Sequence, residues 1–162
     1  MGARNTSLIR LVSVASLSLL AAVAVYCIAR NNPPEILAPW AATNSIIASY
    51  TSVFGSTPSF FYILALGLVI GVCASNRSSA KFHCLIWTGL ALCLELSQHL
   101  IIAEPVSTWI GNNLSGSIWT LIGPYWSRGV YDPLDLLATF MGGVIAWYLL
   151  THFPLEKDDV RY

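Results

Sequence analysis

From Leu11 to Ala29 the chain carries no charged side chain, and three further stretches are nearly as apolar. A hydrocarbon core about 30 Å thick is crossed by roughly 20 apolar residues in a helix. The segments that meet this need, or nearly so, run about 11–29, 59–75, 82–103 and 130–151. In lipid every backbone polar group needs an internal partner, so these segments are expected to be helical. The fold class is therefore read as all-α, an integral membrane bundle of four transmembrane helices. One domain covers 1–153, and a charged tail follows at 154–162. Residues 30–58 and 104–129 are then exterior segments, with room for short interfacial helices.

Composition supports this reading. Of 162 residues, 56% are hydrophobic and 10% charged. Soluble domains carry about 25% charged residues, so a soluble fold is disfavoured, and the apolar content argues against disorder. Formal net charge is zero and no Lys/Arg stripe is present, so no nucleic-acid partner is expected. Cys27, Cys73, Cys84 and Cys93 all lie in apolar stretches without a C-x-x-C pair and are read as buried thiols. The first span resembles a signal peptide in its basic lead, Arg4 and Arg10. Its apolar run exceeds the usual core of about 7–15 residues, and Tyr26, Cys27 and Ile28 occupy the place of a cleavage site, so it is read as retained.

Basic residues set the orientation. Arg4, Arg10, Arg77, Lys81, Lys157 and Arg161 fall on one side of a four-span arrangement, and only Arg30 and Arg128 fall on the other. Both termini and the 76–81 loop are expected to be cytoplasmic. Residues 30–58 open with Asn31-Asn32-Pro33-Pro34, a helix stop. Residues 104–129 hold Trp109, Trp119, Tyr125 and Trp126, residue types that favour the headgroup level. The spacing of Val106, Trp109, Ile110, Leu114 and Ile118 predicts a short interfacial or re-entrant helix there.

Ionisable groups inside membrane-length stretches are functional suspects, because a charge in hydrocarbon costs several kcal/mol or more. Glu95, Gln98 and His99 fall at i, i+3 and i+4, one face of a helix over 82–103. Glu95 then lies about 12 Å below the Ala103 end, where its carboxyl needs either a proton or a cation. Arg128 is the only basic residue of the second exterior segment and is long enough to reach inward, so a Glu95–Arg128 contact is expected. Asp132-Pro133 reads first as an N-cap with proline at the first helical position. Asp135 falls in the first turn, where the helix dipole favours a negative charge. Membership of the polar site is an equal reading for both aspartates. His99 is read as a hydrogen-bonded side chain. With no H-E-x-x-H and no Cys/His cluster, no metal site is expected, and no cofactor is indicated.

Small residues recur every four positions in two spans: Ala138, Gly142 and Ala146 in the last, Gly67 and Gly71 in the second. That spacing allows close helix approach, between these two spans or against spans one and three.

The run Glu95-Leu96-Ser97-Gln98, followed by Arg128-Gly129-Val130-Tyr131-Asp132-Pro133-Leu134-Asp135 and then Gly142, resembles the VanZ-like family of small bacterial integral membrane proteins. That family's pattern is Glu-x-x-Gln, then Arg, Asp, a second Asp three residues on, Asn and Gly. Glu95, Gln98, Arg128, Asp132, Asp135 and Gly142 match it. Thr139 stands in place of the asparagine and Ala146 in place of a further glycine, and the 104–127 segment lengthens a normally short interval. The similarity covers about 84–150. It implies a bacterial inner (plasma) membrane and an envelope role, the family being named for association with glycopeptide (teicoplanin) resistance, but fixes no reaction.

The first functional reading is a membrane protein with a polar site in the outer half of the bilayer that binds or processes an envelope component such as a lipid-linked precursor. Arg128 would hold a phosphate or carboxylate. No Gly-x-Ser-x-Gly frame is present, so catalysis is left open. The alternative is a non-catalytic accessory or structural subunit of a larger membrane complex, its polar cluster locking helices and its aromatic loop docking other subunits. An ion pathway is a third reading, weakened by the scarcity of ionisable groups in the inner half of the spans.

Overall fold

The computed structural model describes residues 2–29, 51–113, 126 and 131–153. These form five α-helices: α1 (Gly2–Ala29), α2 (Thr51–Cys73), α3 (Arg77–Ser97), α4 (Leu100–Asn113) and α5 (Pro133–His152). Three of them contain windows long and apolar enough to cross a membrane, at Ser7–Val25, Gly55–Cys73 and Pro133–His152. A fourth candidate arises if α3 and α4 are counted as one span bent by 88°. These helices expose many large apolar side chains, among them Leu17 and Leu20 on α1 and Leu85 on α3. So much exposed apolar surface suits contact with lipid. Residues 30–50, most of 114–130 and the tail 154–162 lie outside the described residues.

Helix α2 is the hub. It packs against α1, α3 and α5, and α3 also packs against α5. Leu11, Ala15, Leu64, Leu68, Cys84, Ala146 and Leu150 form the buried centre. Contacts fix the directions. Gly67 lies against Ala146 and Gly71 against Leu150, so α2 and α5 run parallel. The Arg77 guanidinium donates through Nε to the Leu150 carbonyl, while Thr88 meets Gly143, so α3 runs antiparallel to α5.

The small residues explain how closely these helices approach. A Cβ on Gly67 would stand 2.9 Å from the Ala146 Cβ, and one on Gly142 would stand 2.5 Å from the Phe60 carbonyl oxygen. Gly142 and Ala146 are buried, and Ala138, nearer the helix start, is half-buried. The Thr88 hydroxyl, buried beside Gly143, is satisfied within its own helix by donating to the Cys84 carbonyl at 2.8 Å.

Several boundaries differ from the sequence reading: α1 begins at Gly2, well before the expected Leu11. The second span was expected over 59–75, but α2 begins at Thr51 and carries Pro58 inside it. Proline deletes one backbone donor, yet such a residue is tolerated in apolar helices where neighbouring groups re-satisfy the freed carbonyl. The segment expected between the first two spans is shortened accordingly. The third span was expected as one helix over 82–103. Instead α3 begins at Arg77, capped by the Asn76 side chain, which accepts from the Ser79 N–H at 2.8 Å. It stops at Ser97, and the chain turns through 88° into α4. At 21 residues, α3 alone is about 31 Å long, enough to cross the hydrocarbon core. Helix α4 overlaps the short helix expected beyond it, but it starts at Leu100 rather than near Val106 and contains Pro105, while Leu114 and Ile118 lie outside the described residues.

Candidate functional site

The N-terminal end of α2, the C-terminal end of α3 and the N-terminal end of α5 lie at one end of the bundle, which the directions above require. This polar end collects most of the singled-out residues. The opposite, basic end carries Arg77 and Lys81 in the first turns of α3.

The shared face of Glu95, Gln98 and His99 needs correction. Gln98 is the C-cap of α3, its N–H donating back to the Glu95 carbonyl at 3.2 Å, and His99 lies in the turn beyond it. The three are therefore not one stripe on a continuous helix. Glu95 sits in the last turn of α3 and not some 12 Å inside a span. This changes its electrostatics. The C-terminus of a helix carries partial negative charge, so the dipole disfavours a carboxylate there. Glu95 is half-buried, and it is not without an interaction partner.

Local side-chain chemistry explains why the helix ends where it does. The Ser97 hydroxyl donates to the Leu94 carbonyl at 2.6 Å and accepts from the Trp126 indole N–H at 3.0 Å. The His99 Nδ1 accepts from the Ile101 N–H at 3.4 Å, and the His99 carbonyl accepts from Ile102 and Ala103 at 2.8 Å. His99 thus serves as a cap for α4, with its ring edge-on to Tyr131 at a centroid distance of 5.0 Å. That contact ties the α3–α4 turn to the residue before the α5 cap.

At the start of α5, Asp132 is the N-cap and Pro133 follows at the first helical position. Its Oδ1 accepts from the Leu134 N–H at 2.9 Å. Asp135 lies in the first turn, half-buried, and accepts from the Ser59 hydroxyl of α2 at 3.4 Å. Both aspartates sit where the dipole of α5 favours negative charge. Removing the Asp132 cap by Asp132→Ala is expected to cost about 1 kcal/mol, while Asp132→Asn, which keeps a capping oxygen, should cost only a few tenths. Unfolding in mixed detergent micelles measures both; equal losses would make the charge, and not the cap, the cause.

The structure therefore brings Glu95, Gln98, His99, Asp132 and Asp135 to one end, from two helices and a turn. It adds Ser59, Ser97, Tyr131 and Trp126, which the sequence reading did not place at the site, although Trp126 was expected at the interface. The Ser56-Thr57-Pro58-Ser59 run was the available signal: three hydroxyl residues around a proline opening an apolar span. Trp109 lies on α4 and is exposed. Arg128, Trp119 and Tyr125 lie outside the described residues. Among the described residues no three His, Cys, Asp or Glu side chains converge as metal ligands would. The cations Arg77 and Lys81 are remote, since Lys81 is fourteen residues, about 21 Å, from Glu95 along α3.

No family model, curated protein or solved structure matches this chain.

Proposed function

We propose that this chain is a VanZ-like multi-pass protein of a bacterial inner membrane. Four spans cross the bilayer, α3 forming the third and α4 lying along the interface. The polar end faces the outer half of the bilayer and binds an anionic, lipid-linked envelope component. The observation that supports a site at this end is the gathering of carboxylates and hydroxyls from α2, α3 and α5 on an otherwise apolar bundle; the anionic ligand rests on Arg128, the one basic residue of 104–129. The position of Glu95 adds a physical requirement. A half-buried carboxyl at a helix C-terminus needs a cation or a proton, and Arg128 is the nearest basic residue in sequence on that side. Arg128 holds the ligand's phosphate, Glu95 orients the guanidinium, and Asp135 and Ser59 brace α5 against α2.

The test is the binding of a polyprenyl phosphate to the purified protein in nanodiscs. Arg128→Ala, Glu95→Ala and Asp135→Ala are expected to weaken binding while leaving protein level intact. Unchanged affinity in all three would end this reading. Orientation has its own check. A reporter active only outside the cytoplasm, fused at Tyr162, should stay silent; strong activity would invert the topology.

The exposed side chains Leu100, Ile101 and Trp109 on α4 favour a second reading, an accessory subunit docked through that helix. A stable complex surviving mild detergent extraction, and lost in Trp109→Ala, would support it.

A further inference from the structure

Away from the polar end, α3 and α5 enclose a groove of about 360 Å³. Its floor is made of the buried residues Cys84, Thr88 and Gly143, and its walls include Leu85, Phe140 and Trp147, which are exposed on the outer surface. The groove therefore opens sideways, toward what would be acyl chains in a bilayer. Its lining is almost wholly apolar. Gly89 contributes to the wall, and a Cβ built there would meet no atom within 4 Å. The missing side chain leaves width that no part of the described protein fills.

The basic end of the groove is marked by a cation. The Lys81 ammonium lies 5.9 Å from the centroid of the Trp147 ring. Among the described residues no carboxylate pairs with it. The neighbouring Arg77 already donates to the Leu150 carbonyl. From Lys81 to Leu92, the far wall of the groove, is eleven residues or about 16 Å of helix, close to half of a hydrocarbon core of roughly 30 Å. The groove and the Lys81 ammonium beyond it together span about one leaflet, with the Trp147 ring between the cation and the apolar lining.

We infer that this groove seats one acyl chain of an anionic glycerophospholipid from the leaflet at the Arg77 end, with Lys81 on its phosphate. Basic pockets between membrane helices recognise anionic headgroups by this combination of charge and apolar shape. The lateral opening lets a lipid enter without crossing the bundle. The site is separate from the polar end and does not depend on what binds there.

Native mass spectrometry of the full chain tests this. Delipidated protein is presented with dipalmitoyl phosphatidylglycerol or dipalmitoyl phosphatidylcholine in mixed micelles. One phosphatidylglycerol should be retained, with a preference of about fivefold over phosphatidylcholine, the gain expected from one basic side chain at the surface. Lys81→Gln should abolish the preference. Gly89→Phe should fill the groove and remove the tightly bound lipid of either kind. Gly55→Phe, which places the same bulk at another glycine with nothing within 4 Å, should not. Wild-type retention in Gly89→Phe, or an unchanged preference in Lys81→Gln, overturns the inference. If Gly89→Phe does not fold, Lys81→Gln alone decides. If Gly89→Phe leaves lipid binding intact but dissociates a co-purifying protein, the groove is a helix seat and the inference fails.

Discussion

Gly142→Ala is expected to destabilise the bundle by about 2 kcal/mol, within the range for overpacking a tight interior. The added methyl would stand 2.5 Å from the Phe60 carbonyl oxygen and 3.4 Å from the Leu64 backbone nitrogen. Both belong to the α2 main chain, so no rotamer change relieves the clash and the helices must separate. Separation also weakens the neighbouring Gly67–Ala146 approach, and in lipid such packing replaces the hydrophobic drive that water would supply. Gly143→Ala should be comparably harmful. Its methyl would overlap Thr88 Cγ2, and turning Thr88 away would break the hydroxyl's bond to Cys84. Gly89→Ala provides the contrast. With open space around the new Cβ it should be neutral, or stabilising by up to about 1 kcal/mol through helix propensity. Reversible unfolding in mixed micelles ranks the three. Wild-type stability in Gly142→Ala would mean that α2 and α5 do not pack as described.

Arg128→Ala is expected to weaken polyprenyl phosphate binding at least about 30-fold, roughly 2 kcal/mol, the lower end of the cost of removing one partner from a desolvated charge pair. Glu95→Ala should lose as much by a different route. The guanidinium would be left without the carboxylate that orients it, so Glu95→Gln, which keeps shape and hydrogen bonding, should recover only part of the loss. Asp135→Ala removes the acceptor of the Ser59 hydroxyl at the α2–α5 contact. Asp135→Asn should recover most of the binding if bracing is its role. Lys81→Gln, at the opposite end of α3, should leave this affinity unchanged. A loss confined to Lys81→Gln would place the phosphate at the basic end instead.

Much of the helical architecture is legible in the sequence because the apolar runs of α1, α2 and α5 are long and hardly interrupted. The small-residue spacing at Gly67, Gly71, Gly142 and Ala146 also pointed to close helix approach, with the α2–α5 contact as one of the pairings it allowed. The α3–α4 bend was not legible. A helical reading runs through the polar 95–99 stretch into apolar 100–103, because Leu96-Ser97-Gln98-His99 holds neither glycine nor proline. What ends the helix is side-chain competition for backbone groups: Ser97 takes the Leu94 carbonyl and His99 takes the Ile101 N–H. Conversely, Pro58 and Pro105 look like boundaries but lie inside helices. At the polar end the residues could be named from their charge alone. Their partners could not, because Ser59 with Asp135, and Ser97 with Trp126, join positions far apart in the chain.

The proposed function rests on Glu95 and Arg128 facing each other at the polar end. A double-mutant cycle with Glu95→Gln, Arg128→Gln and the double variant, read as unfolding free energy in mixed micelles, tests it most directly. The account predicts a coupling of at least about 1 kcal/mol, as for side chains in contact. Losses that add to within about 0.5 kcal/mol would show that the two side chains do not meet, and would contradict it.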